Sequence, residues 1–387
     1  MSGALKRDEW KTVRLGDVCK FVGGGTPAKS NQEYYTGLIP WATVSDMGTD
    51  IISDTIHHIT EEAIKNSATN LIEKNTIIIS THVGVGKVCI ISKDTAINQD
   101  LKAVFPDEER VFKKYLFHWF KSVAPVIIRN SRGGTVKGVT LQFISNLDLS
   151  LPPLDIQRRI ADTLDKVTEL ITLRKTQLEK LDELVKARFV ELMDSAELSE
   201  EVTVEQITER VKVGFVGTCE KYYTDESGVP MLRTGNITEN GIDLEDLKYV
   251  TREFHEKNKK SQIHTGDLLI ARHGSNGQAN VYSGPEAQCL NAVVIVPNQS
   301  IASSIFLAGL INAPMVKKQI ERTLVGSTQR VVNTKSIANL KVRVPSTTVQ
   351  RQYEEFVKQT DKSKVTIQQS LDALETLKKS LMQEYFG

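Results

Sequence analysis

The longest regular pattern in the chain lies between Asp155 and Met193, DIQRRIADTLDKVTELITLRKTQLEKLDELVKARFVELM, which contains no Gly or Pro and follows the helix-blocking pair Pro152-Pro153. Its apolar residues alternate spacings of four and three through Ile160, Leu164, Val167 and Ile171, then Leu178, Leu181, Val185 and Leu192, with Arg174 and Arg188 interrupting the stripe. That spacing is a heptad seam and predicts one long helix with Asp155 as its N-cap. At about 1.5 Å per residue the helix spans roughly 55–60 Å, more than one small domain covers, so it requires a partner helix.

The same chain supplies the partner. ISNLDLSLPPLDIQRRI at Ile144 is echoed by IANLKVRVPSTTVQRQY at Ile337, an offset of 193 residues that also carries Gln157-Arg158 onto Gln350-Arg351. The second helix therefore starts at Pro345 and places Val357, Ile367, Leu371, Leu374 and Leu381 in its seam. Under this offset Arg174 maps to Ile367 and Arg188 to Leu381, so each stripe is apolar where its copy is polar. Polar seam residues fix register and orientation, which favours a specific antiparallel pair.

The segments ahead of the two helices repeat as well. NTIIISTHVGVGKVCIIS at Asn75 is a β-hairpin pattern with its tip at Gly84-Val85-Gly86, and GDLLIARHGSNGQANVYS at Gly266 matches it. GLIPWATVSDM at Gly37 corresponds to GVPMLRTGNI at Gly228, and GGTVKGVT at Gly133 to GSTQRVVN at Gly326. Phe112 to Ser122 reads as a helix whose Tyr115, Phe117, Trp119 and Phe120 belong to the core rather than to a base-stacking platform. The expected fold class is α+β: two β-rich mixed domains, 1–151 and 199–344, joined by two long helices, 152–198 and 345–387, in an antiparallel coiled coil with a pseudo-twofold repeat. An antiparallel return helix places the two domains at opposite ends of the pair.

Composition adds limits. The chain has 387 residues, 40% hydrophobic and 25% charged, with a formal net charge of +1. No apolar run reaches the roughly 18 residues of a membrane span, and MSGALKRDEWKTVRLGD lacks the apolar core of a signal peptide, so a cytoplasmic protein is expected. Cys19, Cys89, Cys219 and Cys289 form no C-x-x-C pair and read as reduced and mostly buried, with no metal site. GGGTPAKS at Gly23 resembles a phosphate loop, but Ala28 stands where the second glycine is required and no helix pattern follows. No methyl-donor fingerprint and no Ser/His/Asp order stands out, so a self-sufficient methyltransferase or nuclease is disfavoured and no catalytic site is expected in this chain.

GGGTPAKSNQEYYTGLIPWATVSDM, the glycine-bearing hairpin, the G-G-T segment and LPPLDIQRRIADTLD together resemble the DNA-specificity (S) subunit of type I restriction-modification systems. The resemblance covers essentially the whole chain. It departs at Met231, where a Trp is expected, and at the single Pro345 in place of Pro-Pro. It implies a non-catalytic subunit with two target-recognition domains that read an asymmetric, bipartite double-stranded DNA site. It also implies that the helices dock two modification (methyltransferase) subunits, that restriction/translocase subunits can join, and that S-adenosylmethionine, ATP and Mg are held by those partners. The alternative from another class is a coiled-coil scaffold that binds only proteins.

Sequence is read by side chains that make paired hydrogen bonds to base edges, so polar, glycine-flanked loop tips are the candidate readers. In the first domain these are Lys29, Asn31, Gln32, Tyr34, Tyr35, Thr81, His82, Lys87, Arg132 and Lys137. In the second they are Lys221, Tyr222, Tyr223, Arg233, Asn236, Arg272, His273, Asn276, Gln278, Gln329 and Arg330. Arg272 and Arg330 suit guanine, Asn276, Gln278 and Gln329 suit adenine, and the lysines suit phosphates. If the paired helices set the distance between readers, removing one heptad from both together shortens the gap between half-sites and leaves the bases of each unchanged. Mapping the methylated sites checks this, and altered bases with an unchanged gap refute it.

Overall fold

The computed structural model describes residues 10–131, 138–238, 241–273, 277–324 and 331–387. The chain divides into two compact units, 1–174 with 370–387, and 175–369. Each unit takes one β-rich domain and a segment of each long helix.

In the first unit a five-stranded sheet runs in the order Cys19–Gly23, Leu101–Pro106, Ile77–Ser80, Val88–Ile91, Ile51–Ile52, antiparallel except for its last pair. A four-stranded sheet orders His57–Ile59, Ile39–Ala42, Thr95–Ile97 and Asn70–Ile72. The run Ile77-Ile78-Ile79 shows why a strand here is apolar throughout. Alternate side chains point to opposite faces, so Ile77 and Ile79 pack with Tyr115, Trp119 and Phe120, while Ile78 packs with Ala42, Ile91 and Ile97. Both faces are covered, and no polar position is permitted. The second unit repeats the arrangement: Leu268 and Ile270 face Phe306 and Leu307, and Leu269 and Ala271 face Leu232 and Val294. The hairpin expected at Asn75 is present, with Ile77–Ile79 antiparallel to Val88–Ile90 and both tip glycines at positive φ, 67° for Gly84 and 88° for Gly86.

The aromatic segment is core, as its pattern required, with Tyr115, Phe117, Trp119 and Phe120 all buried. Its helix, Lys113–Arg129, runs past Ser122 and through Pro125. Burial of Ile127 in the same core helps to hold the last turns despite the amide lost at proline.

The first long helix is Leu154–Ser195 and the second Thr347–Phe386. Asp155 therefore lies inside the first turn rather than at the N-cap. In the first unit Ile160, Ala161 and Leu164 share a core with Leu381, Met382, Tyr385 and Phe386. In the second, Phe189 meets Tyr353 edge-on with ring centroids 5.1 Å apart, and Lys364 Nζ lies 2.5 Å from Asp182 Oδ1. Residue numbers rise on one helix as they fall on the other, so the helices are antiparallel. Ile160, Leu164, Val167, Ile171, Leu192 and Leu371 are buried. Leu178, Leu181, Val185, Val357, Ile367, Leu374 and Leu381 are half-buried. One detail of the stripe is corrected: Phe189 rather than Arg188 takes the seam place between Val185 and Leu192, because a step of four followed by three keeps it on the buried face. Arg188 turns outward to Glu191, 2.8 Å away.

A buried glutamine ties each helix to its domain. Gln157 accepts the Phe112 N–H (2.7 Å) and donates to the carbonyls of Arg110 and Pro152 (both 2.8 Å). Gln350 accepts the Ser303 N–H (3.2 Å) and donates to Ile301 O (2.9 Å) and Pro345 O (3.2 Å). In each copy the amide serves the start of a domain helix and the end of the strand segment at once. In the first unit His118 adds a second tie. Its Nε2 is 2.7 Å from Asp165 Oδ1, which also places Asp165 2.7 Å from Lys114 Nζ, and its Nδ1 is buried with no hydrogen-bond partner among the described residues. Because a carboxylate only accepts, Nε2 carries the proton and Nδ1 is a bare acceptor. Burial pushes the imidazole below its ordinary pKa, against the pull of Asp165, and Lys121 and Lys378 push the same way as burial. Burial raises the Asp165 carboxyl, and the hydrogen bonds from Lys114 and His118 more than offset it, leaving it below the usual value.

All four cysteines are unpaired and buried, and burial raises Cys19, Cys89 and Cys289 to about 12, so these three thiols are inert at neutral pH.

Two stability predictions follow from these ties. Gln157→Leu leaves the buried Pro152 carbonyl without this partner and removes the bonds to the part-buried Phe112 N–H and Arg110 carbonyl, and at about 1–3 kcal/mol for a buried unsatisfied group a loss of at least about 1 kcal/mol in urea unfolding is expected. The exposed Gln352→Leu serves as the control and changes stability by less than about 0.5 kcal/mol. A histidine with a depressed folded pKa contributes stability that is present above its unfolded value of about 6.5 and lost as the pH falls below it. Unfolding at pH 5 is therefore expected at lower urea than at pH 7.5, and His118→Gln, which keeps a donor for Asp165, reduces that difference. The depressed Asp165 acts only at lower pH, as it falls through its own folded value.

Candidate nucleic-acid interface

In the first unit the end of the Ile77–Ser80 strand, the Asn98–Asp100 turn and the segment beginning at Gly138 meet. Thr81 donates its N–H to Asp100 O (3.0 Å) and accepts the Val139 N–H (2.8 Å). His82 Nδ1 lies 3.9 Å from the Asp100 carboxylate, and a side chain at Gly138 would come within 2.8 Å of the His82 ring. Thr26 extends the cluster by donating to Gln99 Oε1. The glycines ahead of it are required by backbone contact: a Cβ on Gly24 would fall 2.1 Å from Ile97 O, and one on Gly25 2.5 Å from Ala68 C. Close chain passage accounts for Gly24 and Gly25, whereas a Cβ at Gly23 would meet only the Lys102 side chain at 3.8 Å.

Among the first-domain candidates, Lys29, Gln32, His82 and Lys87 are exposed. Asn31 is used locally, its Oδ1 accepting the Glu33 N–H at 3.2 Å, and Gln32 Nε2 donates to Lys29 O at 3.0 Å. Tyr35 donates to Pro27 O (2.8 Å) and meets Trp41 edge-on, and Tyr34 packs into the same small core. Lys87 Nζ is 3.5 Å from Val44 O. Thr81 is a correction: only 1% exposed, it is sealed between Asp100 and Val139 and has no side-chain surface for a base. Arg132 and Lys137 lie outside the described residues.

The second unit repeats this junction with other side chains. Arg272 O accepts the Val332 N–H (3.0 Å), as Thr81 O accepts that of Val139. Arg272 Nη1 donates to Asn291 Oδ1 (2.9 Å) and Nε to Val332 O (3.4 Å). His273 and Lys221 are exposed. Lys221 Nζ sits 4.9 Å from the Tyr222 ring centroid, whose other neighbour is Phe254 at 4.9 Å, and Tyr223 Oη accepts from Cys219 Sγ at 3.7 Å. Arg233 is paired with Asp246 at 3.0 Å. Asn236, 3% exposed, is the second correction: its Oδ1 accepts the Arg233 N–H (2.9 Å) and its Nδ2 donates to Asp246 O (2.9 Å). It caps a turn, as Asp46 does for Thr43 in the first unit, and a buried capping amide is not available to DNA. Gln278 is half-buried and lines a cavity of about 870 Å³ bounded by Phe189, Val281, Ile305 and Tyr353. Asn276, Gln329 and Arg330 lie outside the described residues.

The sequence reading missed Asn98, Gln99, Asp100 and Asn291. Asn98, Gln99 and Asp100 form a short polar turn between two apolar strands, whereas Asn291 is a lone polar residue between Leu290 and Ala292. Among the described residues, no cluster of three or more His, Cys, Asp or Glu side chains is placed to hold a metal, and no helix is long and apolar enough to cross a membrane.

Residues 7–183 and again 200–376 match the family described as the type I restriction modification DNA specificity domain. The chain belongs to this family of type I specificity subunits, and the doubled match agrees with the internal repeat. Among curated relatives, the EcoR124I/EcoR124II specificity subunit of Escherichia coli is 36% identical over 169 residues, 42% of this chain and 41% of that subunit. The MjaIX specificity subunit of Methanocaldococcus jannaschii is 22% identical over 410 aligned positions, covering 98% of this chain and 93% of that one. The fold is that of the crystallised type I restriction-modification S subunit from M. genitalium, with a TM-score of 0.62 at 15% identity over 98% of this chain and 96% of that one. A chain from a structure of the type I system described for its complex assembly and conformational transition gives 0.59 at 17% identity, covering 97% of both.

Proposed function

We propose that the chain reads an asymmetric, bipartite site on double-stranded DNA, one half with each β-rich domain, and carries no catalytic site of its own. The long helices dock two methyltransferase subunits, which hold S-adenosylmethionine and extrude adenine from the duplex. Restriction/translocase subunits with ATP and Mg join the same assembly in the cytoplasm. The domains are bounded as the repeat suggests, 1–151 and 199–344, with 152–198 and 345–387 as spacers.

One observation carries this reading. Equivalent backbone hydrogen bonds, Val139 N–H to Thr81 O and Val332 N–H to Arg272 O, hold different side chains at the same place in the two copies. A frame kept constant while its tips diverge suits a device that meets two different base sequences, because base-edge readout depends on side-chain donors and acceptors and not on the frame. Exposed Lys29, Lys87 and Lys221 supply sequence-independent attraction to phosphates.

Exchange of Thr203–Val344 for the corresponding segment of another specificity subunit, followed by mapping of methylated adenines in cells, tests the proposal. One half of the target is expected to change and the other to persist. Change in both halves counts against modular reading, and no change in the methylation pattern favours the scaffold that binds proteins alone.

A further inference from the structure

The two arginines of the second unit that lie among the described candidates are held differently. Arg233 is neutralised by Asp246 at 3.0 Å. Arg272 is held by two uncharged acceptors, Asn291 Oδ1 and Val332 O, and no carboxylate among the described residues forms an ion pair with it. Among the described residues its positive charge is thus oriented by neutral acceptors alone.

Asn291 is itself fixed. It has a left-handed backbone with φ of 53°, a conformation asparagine tolerates and most side chains do not, and its N–H donates to Phe215 O at 2.9 Å. It stands one residue before the Ala292 that pairs with Ala271, the place Asp100 occupies in the first unit next to the Leu101–Ser80 pair. Where the first unit combines a sealed Thr81 with Asp100, the second combines Arg272 with Asn291. An aspartate at 291 would place a negative charge on the guanidinium, whereas the amide offers the same acceptor without one.

We propose that Asn291 is a positioning residue that aims the Arg272 fork at a guanine edge in the DNA half-site read by the second unit. A phosphate contact tolerates a mobile cation, whereas paired hydrogen bonds to guanine O6 and N7 require a planar fork in one orientation. Arg272 is half-buried and gripped at two nitrogens, so its rotamer freedom is surrendered before DNA arrives. The inference rests on the DNA-reading role proposed above.

The test uses the chain assembled with its methyltransferase subunits, and reads binding and methylation over randomised target sequences. Arg272→Lys and Asn291→Gly are expected to lose about tenfold or more of the preference for one base pair, the same pair for both, while the other half-site is unchanged. Glycine is chosen because it keeps the left-handed backbone without strain. Asn291→Asp keeps an acceptor for Nη1 and retains preference at that pair better than Asn291→Gly. The proposal is overturned if Asn291→Gly leaves preference intact or shifts a different base pair. It is also overturned if Arg272→Ala weakens all sequences equally with a shallower salt dependence, the mark of a phosphate contact. Arg272→Lys keeps the charge and decides the base-reading claim even if Asn291→Gly fails to fold. A wild-type assembly with no sequence preference instead removes the DNA-reading role itself, a result separate from either outcome.

Discussion

A single side-chain amide at the start of each long helix is the constraint from which the architecture follows. Gln157 and Gln350 each satisfy one N–H and two carbonyls at the junction of helix, strand and domain helix. Both amides are buried, Gln157 fully and Gln350 nearly so, and so are their bonds to the Pro152 and Pro345 carbonyls, groups that need a partner inside the fold. A long helix joined to a domain only by apolar contact can slide or roll. Directional hydrogen bonds to three separate backbone groups fix its exit, and the same device appears twice because the chain is duplicated.

From that junction outward, the copies share a frame and diverge in what they display. The first strand of the central hairpin, Ile77–Ile79 in one unit and Leu268–Ala271 in the other, is apolar on both faces, so its position is set by packing and tolerates little change. The ends of those strands carry no such burden. There the first unit buries a threonine and the second holds an arginine on an asparagine, with the same backbone bond beneath. Side chains differ between the copies at these strand ends, and stay apolar in the strands where packing dictates it.

The legible part of this protein was the part governed by period. A spacing of four and three gave the helices and most of their seam, and runs such as IIIS and LLIA gave the central strands. The offset of 193 gave the duplication. Side-chain type is a poor guide to exposure in this chain. Thr81 and Asn236 sit in polar, glycine-flanked stretches, yet both are buried because a strand end and a capped turn absorb their hydrogen-bonding groups locally. Gly24 and Gly25 of GGGT reflect backbone passing within van der Waals reach of backbone, a requirement that a motif cannot distinguish from ligand binding.

By itself the sequence determined the α+β class, the two copies and the antiparallel helices, because hydrophobic period and internal repetition are written along the chain and need no knowledge of distant contacts, and its short motifs carried the resemblance to the family. Only the tertiary structure decided which polar residues are structural. It assigned Asn291 to Arg272 across 19 residues and Gln157 to Phe112 across 45, partnerships created when separate strands and helices converge. The physical reason is that burial and hydrogen bonding are properties of a residue's neighbours, and these neighbours are brought together by folding rather than by sequence order.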